Sequence, residues 1–228
     1  TSRDTLYPNL LDAVRISEHA GADLITIHLR EDRRHIQDKD ATDIRQCAKV
    51  LNFEMANTDE MIKFAMELKP NYCCIVPEKR EEKTTEGGLN LTSYSDMQLK
   101  ELELTISNFK TNNIKTSLFI DPNHESINIA ADVGAELVEL HTGKYANLFN
   151  TIDEFEALEE VSSASKYAHK KNLLVNAGHG LNYENLSEIC KLDHINEINI
   201  GHAIISQAVF TGLSDAIKKI ISIINKND

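Results

Sequence analysis

The sequence predicts a (β/α)8 barrel, an α/β fold in which eight parallel strands alternate with helices. Two observations favour this fold. Apolar segments of strand length alternate with helix-length segments along the whole chain, as in parallel βαβ units. The sequence also repeats itself at about half its length, because GADL from Gly21, followed by His28, corresponds to GAEL from Gly134, followed by His141. Such a repeat suits a closed barrel better than an open sheet.

The composition indicates one domain over residues 1–228. With 41% hydrophobic residues there is enough material for one sizeable core, and no linker or low-complexity segment interrupts the alternation. The net charge of −12 argues against nucleic acid or an anionic membrane as a partner. No apolar segment approaches the ~20 residues that a membrane span requires, and the four cysteines lack a CxxC spacing. We therefore expect a reduced, cytoplasmic protein without a signal peptide.

Seven segments are rich in β-branched and aliphatic residues, the composition of strands that are buried on both faces. They are residues 24–29, 51–55, 72–77, 115–121, 137–141, 173–177 and 197–200. Because a closed barrel has eight strands and residue 1 stands directly before a helix, we expect the first strand to precede the printed sequence.

The helices are indicated by apolar residues at helical spacing and by signals at their ends. Gly21 follows the first helix as a C-terminal stop, and Thr58 precedes the third as an N-cap. The predicted helices are residues 8–20, 38–50, 58–68, 95–109, 123–133, 153–170, 182–190 and 203–224.

Polar residues follow the predicted strands, at the end where barrel enzymes carry their active sites. Four of the nine histidines are among them. A structural hydrogen bond would explain any one of these histidines, whereas the whole set together indicates a site. The strand-end residues are His28 and Arg30, Glu54, Glu78 and Lys79, Asp121, His141 and Thr142, Asn176 and His179, and Gly201 and His202.

Glu54 is the strand-end carboxylate with the clearest signal. Its neighbours Phe53 and Met55 are apolar, and side chains alternate between the two faces of a strand, so we expect Glu54 to point into the barrel. Burial there would raise its pKa and suit it to accept a proton near neutral pH. The alternative is an ion pair with Arg30 or Lys79.

Two glycine-rich turns follow the last two strands, where barrels of this kind commonly bind phosphate. The first contains His179 between Gly178 and Gly180, and the second contains Gly201 before His202. Glycine allows backbone N–H groups to approach a ligand closely, and the second turn opens a helix whose N-terminus favours an anion.

Arg30 could bind a second anion through its guanidinium, whereas we expect Arg33 and Arg34 to pair with nearby acids. The polar loop 81–91 fits either a lid or an ordinary surface loop.

Three alternatives stay open at this level. A zinc site is conceivable from His28, Glu54, His141 and His179, but their spacing cannot test it. Lys79 could form a Schiff base, as in barrel lyases and aldolases. The chain could also be a barrel that binds a sugar phosphate without catalysis. Because binding alone does not require an acid–base set, the residues favour an enzyme for small phosphorylated substrates that uses histidine and glutamate.

The chain resembles the pyridoxine 5′-phosphate synthase family of the deoxyxylulose-dependent vitamin B6 route. Matching segments run in order along almost the whole chain, and the REDRRH, TTEGGL and NAGHGL motifs together are highly specific. The segments are GADLITIHLREDRRHI, LNFEMA, VPEKREEKTTEGGLN, SLFIDP, ELHTGKYA, VNAGHGLNY and NIGHAIISQAVFTGL.

This resemblance implies that 1-deoxy-D-xylulose 5-phosphate condenses with 3-amino-2-oxopropyl phosphate to give pyridoxine 5′-phosphate, phosphate and water. It implies a homo-octamer built from dimers, without a metal or an organic cofactor. It also implies that His28 and Glu54 accept protons and that His179 donates one. The implied substrate contacts are Arg30, His35 and Thr84 for the deoxyxylulose phosphate, and Arg3, Gly180, Gly201 and His202 for the aminoketone phosphate.

The sequence departs from the family at its beginning. An Asn and an Asp-His pair that end the family's first strand are not in the printed sequence. Asp4 also stands where the family usually has glycine, so the loop of Arg3 would differ.

Overall fold

A computed structural model describes residues 7–78 and 87–226. These residues form one sheet of seven parallel strands, whose spatial order is their order in the sequence. The strands are β1 (Ile25–His28), β2 (Leu51–Met55), β3 (Tyr72–Ile75), β4 (Lys115–Ile120), β5 (Leu137–His141), β6 (Leu174–Gly178) and β7 (Ile195–Asn199). All seven correspond to predicted strands, although their ends differ by up to a few residues.

Ten helices connect and flank the strands in the described residues. They are α1 (Leu10–Ala20), α2 (Asp38–Cys47), α3 (Asp59–Leu68), α4 (Asp96–Thr111), α5 (His124–Asp132), α6 (Gly143–Leu148), α7 (Glu154–Lys170), α8 (Leu186–Cys190), α9 (His202–Thr211) and α10 (Leu213–Ile224). A short 3-10 turn, Leu91–Ser93, precedes α4.

The helix ends follow the local chemistry of the sequence. The Asn9 side chain accepts hydrogen bonds from the first turn of α1, and Ser95 and Gln98 form a capping box at α4. Gly21, with a φ of 106°, ends α1, and Gly134, with a φ of 85°, follows α5. Each of these two glycines leads directly into a strand that ends at a histidine, so the sequence repeat is also a structural one.

Outward-facing strand residues pack against the helices and form the core. Ile27 and Phe53 pack with Met61 of α3 on one side of the molecule. Leu118 and Val138 belong to a larger cluster with residues of α4 to α8. Cys73 and Cys74 are fully buried, which confirms that they are small core residues.

The sheet curls so far that side chains of its first and last strands reach each other. The Thr26 hydroxyl of β1 donates a hydrogen bond of 3.0 Å to the side-chain oxygen of Asn199 in β7. Within residues 7–78 and 87–226, backbone pairing joins β1 only to β2 and β7 only to β6. The described residues therefore supply seven parallel strands of a (β/α)8-type barrel, the fold class that the sequence predicts.

The structure corrects three helix predictions. The closing helix 203–224 is two helices, because Gly212, with a φ of 82° and a ψ of 155°, interrupts it. The predicted helix 182–190 is helical only from Leu186, because Asn182 and Asn185 bond each other's backbone in a turn. Helix α6, directly after β5, was not predicted. Among the described residues, no helix is both long and apolar enough to cross a bilayer.

Candidate active site

His28 lies between two glutamates at the carboxyl ends of β1, β2 and the segment after β3. Its Nε2 is 2.6 Å from Oε1 of Glu78, and its Nδ1 is 3.8 Å from Oε2 of Glu54. The register explains the second contact, because His28 and Glu54 are direct partners in the parallel pair β1–β2. His28 and Glu54, the two predicted proton acceptors, are therefore brought together.

Burial raises the pKa of Glu54. The positive charge of a protonated His28 ring opposes that shift. The predicted direction of the shift is confirmed. Glu54 lies in ion-pair range of His28, whereas the described contact of Arg30 is with Asp32 at 3.3 Å. The alternative partner Lys79 lies outside the described residues.

A second carboxylate, Glu139 of β5, is fully enclosed in the barrel interior and was not predicted as a site residue. Its Oε2 accepts a hydrogen bond of 2.9 Å from the Asn199 amide. Burial, together with the negative charges of Glu54 and Glu197, raises its pKa well above the usual value. The sequence did contain a signal, because Val138 and Leu140 flank Glu139 just as apolar residues flank Glu54.

A chain of polar side chains holds this carboxylate. Asn52 donates to the Thr26 hydroxyl, which donates to Asn199. The amide of Asn199 then donates to both Glu139 and Glu197. Because the Thr26 hydroxyl has a single hydrogen and gives it to Asn199, the amide nitrogen of Asn199 must face the two carboxylates. The barrel interior is thus polar where many barrels are filled with branched apolar residues.

His141 and His179 form a second histidine cluster at the ends of β5 and β6. Their ring centroids are 4.8 Å apart, and the Phe119 ring contacts both. Nδ1 of His141 is 3.3 Å from Asp121, which also accepts the Gly88 N–H at 2.9 Å. The hydrogen bond from His141 lowers the pKa of Asp121. Nε2 of His141 is buried and has no hydrogen-bond partner among the described residues.

The turn after β6 presents His179 at the surface of the site. His179 has a φ of 78° and Gly180 a φ of 82°, so two successive residues are in the left-handed region. The Thr142 hydroxyl lies 2.8 Å from the carbonyl oxygen of Gly178 and 2.7 Å from that of His179. A Cβ at position 180 would lie 2.7 Å from Cβ of Ala146, so the close approach requires glycine there.

In the basic segment after β1, Arg33 and Arg34 pair with nearby acids, as predicted. Arg33 pairs with Asp38 and Glu60, and Arg34 pairs with Asp32. Arg30 is partly buried at the strand end, and His35 is exposed further along the segment.

Gly201 is the N-cap of α9, and His202 is its first residue, so the predicted helix start is confirmed. Both residues are exposed, and no atom lies within 4 Å of where a Cβ of Gly201 would be. Open backbone at the start of a ten-residue helix is suited to an anion. Arg3, Asp4, Thr84 and residues 81–86 of the predicted lid lie outside the described residues.

Within residues 7–78 and 87–226, no group of three or more His, Cys, Asp or Glu side chains is arranged so that it could hold a metal ion. The strand ends carry histidines beside carboxylates and a glutamate of raised pKa, and such groups can transfer protons. The open backbone at the start of α9, which is suited to phosphate, lies at the same end of the barrel. A parallel barrel with such groups at the carboxyl ends of its strands has the architecture of barrel enzymes, whose active sites lie at that end.

The family is also shown directly. Residues 1–226 match the model of the pyridoxal phosphate biosynthesis protein PdxJ, and the chain belongs to that family. It is 46% identical over 218 residues to a pyridoxine 5′-phosphate synthase of Thioalkalivibrio sulfidiphilus, with 95% of this chain and 87% of the relative covered. The protein of the same name from Prochlorococcus marinus is 43% identical over 227 residues, with 99% and 93% covered. The resemblance seen in the motifs is therefore confirmed.

Solved structures with similar folds are distant in sequence. A structure described as native KDPGal has a TM-score of 0.67 at 10% identity, with 96% of this chain and 90% of that chain covered. Phosphoribosyl anthranilate isomerase from Thermus thermophilus has a TM-score of 0.61 at 14% identity, with 96% and 95% covered. At these identities the likeness shows the fold alone.

Proposed function

We propose that this chain is a pyridoxine 5′-phosphate synthase. It would condense 1-deoxy-D-xylulose 5-phosphate with 3-amino-2-oxopropyl phosphate and release pyridoxine 5′-phosphate, phosphate and water. The observation that carries the proposal is family membership over residues 1–226, together with relatives of that name at 43–47% identity.

The chemistry requires several proton transfers in one pocket. Closing a pyridine ring from these substrates involves imine formation, loss of phosphate, dehydration and formation of a carbon–carbon bond. Each step moves a proton, so groups that titrate near neutral pH are needed. In our proposal His28 and Glu54 accept protons and His179 donates one. The support for this is that His28 and Glu54 are neighbours at 3.8 Å and that burial raises the pKa of Glu54.

Two phosphate groups need two anion sites. We propose Arg30, His35 and Thr84 for the deoxyxylulose phosphate, and Arg3, Gly180, Gly201 and His202 for the aminoketone phosphate. The support is the open backbone of Gly201 at the start of α9, the left-handed turn at Gly180, and the position of Arg30 after β1. The proposal also includes a cytoplasmic homo-octamer built from dimers that uses no cofactor.

The test is turnover by the purified protein with the two substrates and no added metal. We expect pyridoxine 5′-phosphate to form at the same rate with and without EDTA. His179→Ala should lower kcat by about 10²–10⁴-fold, the usual contribution of an acid–base group, while inorganic phosphate still binds. A normal kcat for His179→Ala, or loss of activity in EDTA, would contradict the mechanism.

A further inference from the structure

The contact between His28 and Glu78 is the shorter of the two contacts that the His28 ring makes with glutamates. At 2.6 Å it is well within hydrogen-bonding distance, whereas the 3.8 Å between His28 and Glu54 is too long for a direct hydrogen bond. The Glu78 side chain is 3% exposed, so this bond is shielded from water. Shielding strengthens a charge-assisted hydrogen bond.

Glu78 is itself fixed by the backbone. Its second carboxylate oxygen, Oε2, accepts the N–H of Glu31 at 2.8 Å. Both oxygens of Glu78 therefore act as acceptors, one toward the backbone of the segment after β1 and one toward the ring of His28. A carboxylate held in this way has no freedom to rotate away from the imidazole.

This arrangement decides which ring nitrogen of His28 carries the hydrogen. A carboxylate can only accept, so Nε2 must donate to Glu78. In the neutral ring the other nitrogen, Nδ1, then has the free lone pair. Nδ1 is the nitrogen that faces Glu54, the second proposed proton acceptor.

We propose that Glu78 is a positioning residue for His28. It holds the ring in the tautomer with the hydrogen on Nε2, so that Nδ1 is the nitrogen that accepts the proton from the substrate. This step rests on the proposed function only for the role of His28 as acceptor. The orientation and tautomer of the ring follow from the contacts alone.

The variant Glu78→Gln tests the inference because glutamine keeps the shape and loses one acceptor. Its amide has one oxygen and one NH2 group. If the oxygen keeps the Glu31 N–H, the NH2 group faces Nε2 of His28 and favours the hydrogen on Nδ1. The matched control is Glu31→Gln, which removes the same charge from an exposed neighbouring side chain and leaves the backbone N–H in place.

The first readout is 15N NMR of the histidine rings in the full chain without substrates. In the wild type we expect the neutral His28 ring to carry its hydrogen on Nε2. In Glu78→Gln we expect it to move to Nδ1, and in Glu31→Gln to stay. A hydrogen on Nδ1 in the wild type, or an unchanged tautomer in Glu78→Gln, would overturn the inference without touching the proposed function.

The second readout is steady-state turnover. We expect Glu78→Gln to lower kcat by about 10²- to 10⁴-fold, because an amide in place of the carboxylate puts an acid–base histidine in the wrong tautomer, with little change in KM. Glu31→Gln should retain wild-type kcat. If the tautomer of Glu78→Gln changes while turnover stays normal, Glu78 does position the ring, but His28 is not the proton acceptor.

Discussion

The two halves of the chain share a pattern: a helix that ends near a left-handed glycine, followed by a strand that ends at a histidine. The two histidines nevertheless have different surroundings. His28 is 26% exposed and lies between Glu54 and Glu78. His141 is 5% exposed, contacts the half-exposed Asp121 and packs against His179. One ring can meet a substrate, while the other is enclosed by protein.

The comparison teaches that a strand-end position does not by itself give a histidine its role. In the first half the neighbouring strands contribute carboxylates to the ring. In the second half Phe119 and His179 cover it, and Gly143 is so near that a Cβ there would lie 2.6 Å from Nε2 of His141. We infer that His28 takes part in proton transfer and that His141 supports the ring of His179.

The largest expected effect separates the two histidines directly. His28→Asn should lower kcat by about 10²–10⁴-fold, because it removes an acid–base group from the site. His141→Phe keeps an aromatic ring against His179 and should cost less turnover than His28→Asn. Steady-state kinetics on both variants, with circular dichroism to confirm folding, is the measurement. A larger loss for His141→Phe would reverse the comparison.

The next effect concerns the glycine that accommodates His141. Gly143→Ala places a Cβ 2.6 Å from Nε2 of His141 and 3.3 Å from Cδ2 of His179, so both rings must shift. Overpacking of this kind costs about 1–3 kcal/mol of unfolding free energy. We expect lower thermal stability by calorimetry together with reduced kcat.

Gly134→Ala is the matched control. Its backbone is left-handed, with a φ of 85°, but no atom lies within 4 Å of the new Cβ. The strain costs about 1–2 kcal/mol, so stability should fall, while kcat should stay at the wild-type value. If the two variants lose equal activity, the contact of Gly143 with the histidine rings does not matter for turnover.

The acids beside the two histidines, Glu54 and Asp121, should contribute to the free energy of unfolding with opposite dependence on pH. Burial raises the folded-state pKa of Glu54, so the folded chain binds more protons there than the unfolded chain, whose glutamates titrate near ~4.3. The free energy of unfolding should therefore fall as pH rises from that value through the raised pKa. Glu54→Gln should reduce this fall, as measured by urea denaturation between pH 5 and pH 8.

Asp121 has the reverse sign, because the hydrogen bond from His141 lowers its pKa. Its stabilisation is present above the unfolded pKa of ~3.9 and is lost as pH falls through the lowered value. The stability difference between the wild type and Asp121→Asn should therefore shrink on acidification. A difference that grows instead would contradict the described contact.

We expect the smallest effect from a substitution in the basic segment that follows His28. No such segment follows His141. Arg34 is 57% exposed and pairs with Asp32. An exposed pair contributes about 0–1 kcal/mol, so Arg34→Ala should change stability little and leave turnover unchanged. A substantial rise in KM would place Arg34 among the substrate contacts, beside Arg30.

Most of the fold was predictable because it depends on periodicity and on end signals. All seven strands, the glycine stop at Gly21 and the start of α3 after Thr58 could be read from neighbouring residues, although the Thr58 side chain makes no capping hydrogen bond. The break at Gly212 was missed because a glycine within a strongly apolar segment is compatible with one long helix. Helix α6 was missed because it spans only six residues, Gly143–Leu148.

The site was predictable residue by residue but not as a set of contacts. Strand ends identified His28, Glu54 and His179, while the partner of each depends on which strands become neighbours and in what register. The bond between Glu78 and His28 joins residues 50 positions apart, and the one between Asn199 and Glu139 joins residues 60 apart. Local patterning carries no information on such pairs.

The left-handed backbone at His179 has a consequence for attempts to stabilise this chain by selection or design. Glycine adopts that conformation without the steric cost that a side chain brings. A library ranked only by heat tolerance would therefore enrich glycine at position 179 and discard the imidazole. The sequence that best suits this backbone and the sequence that best suits the chemistry are different, and they diverge at the turn after β6.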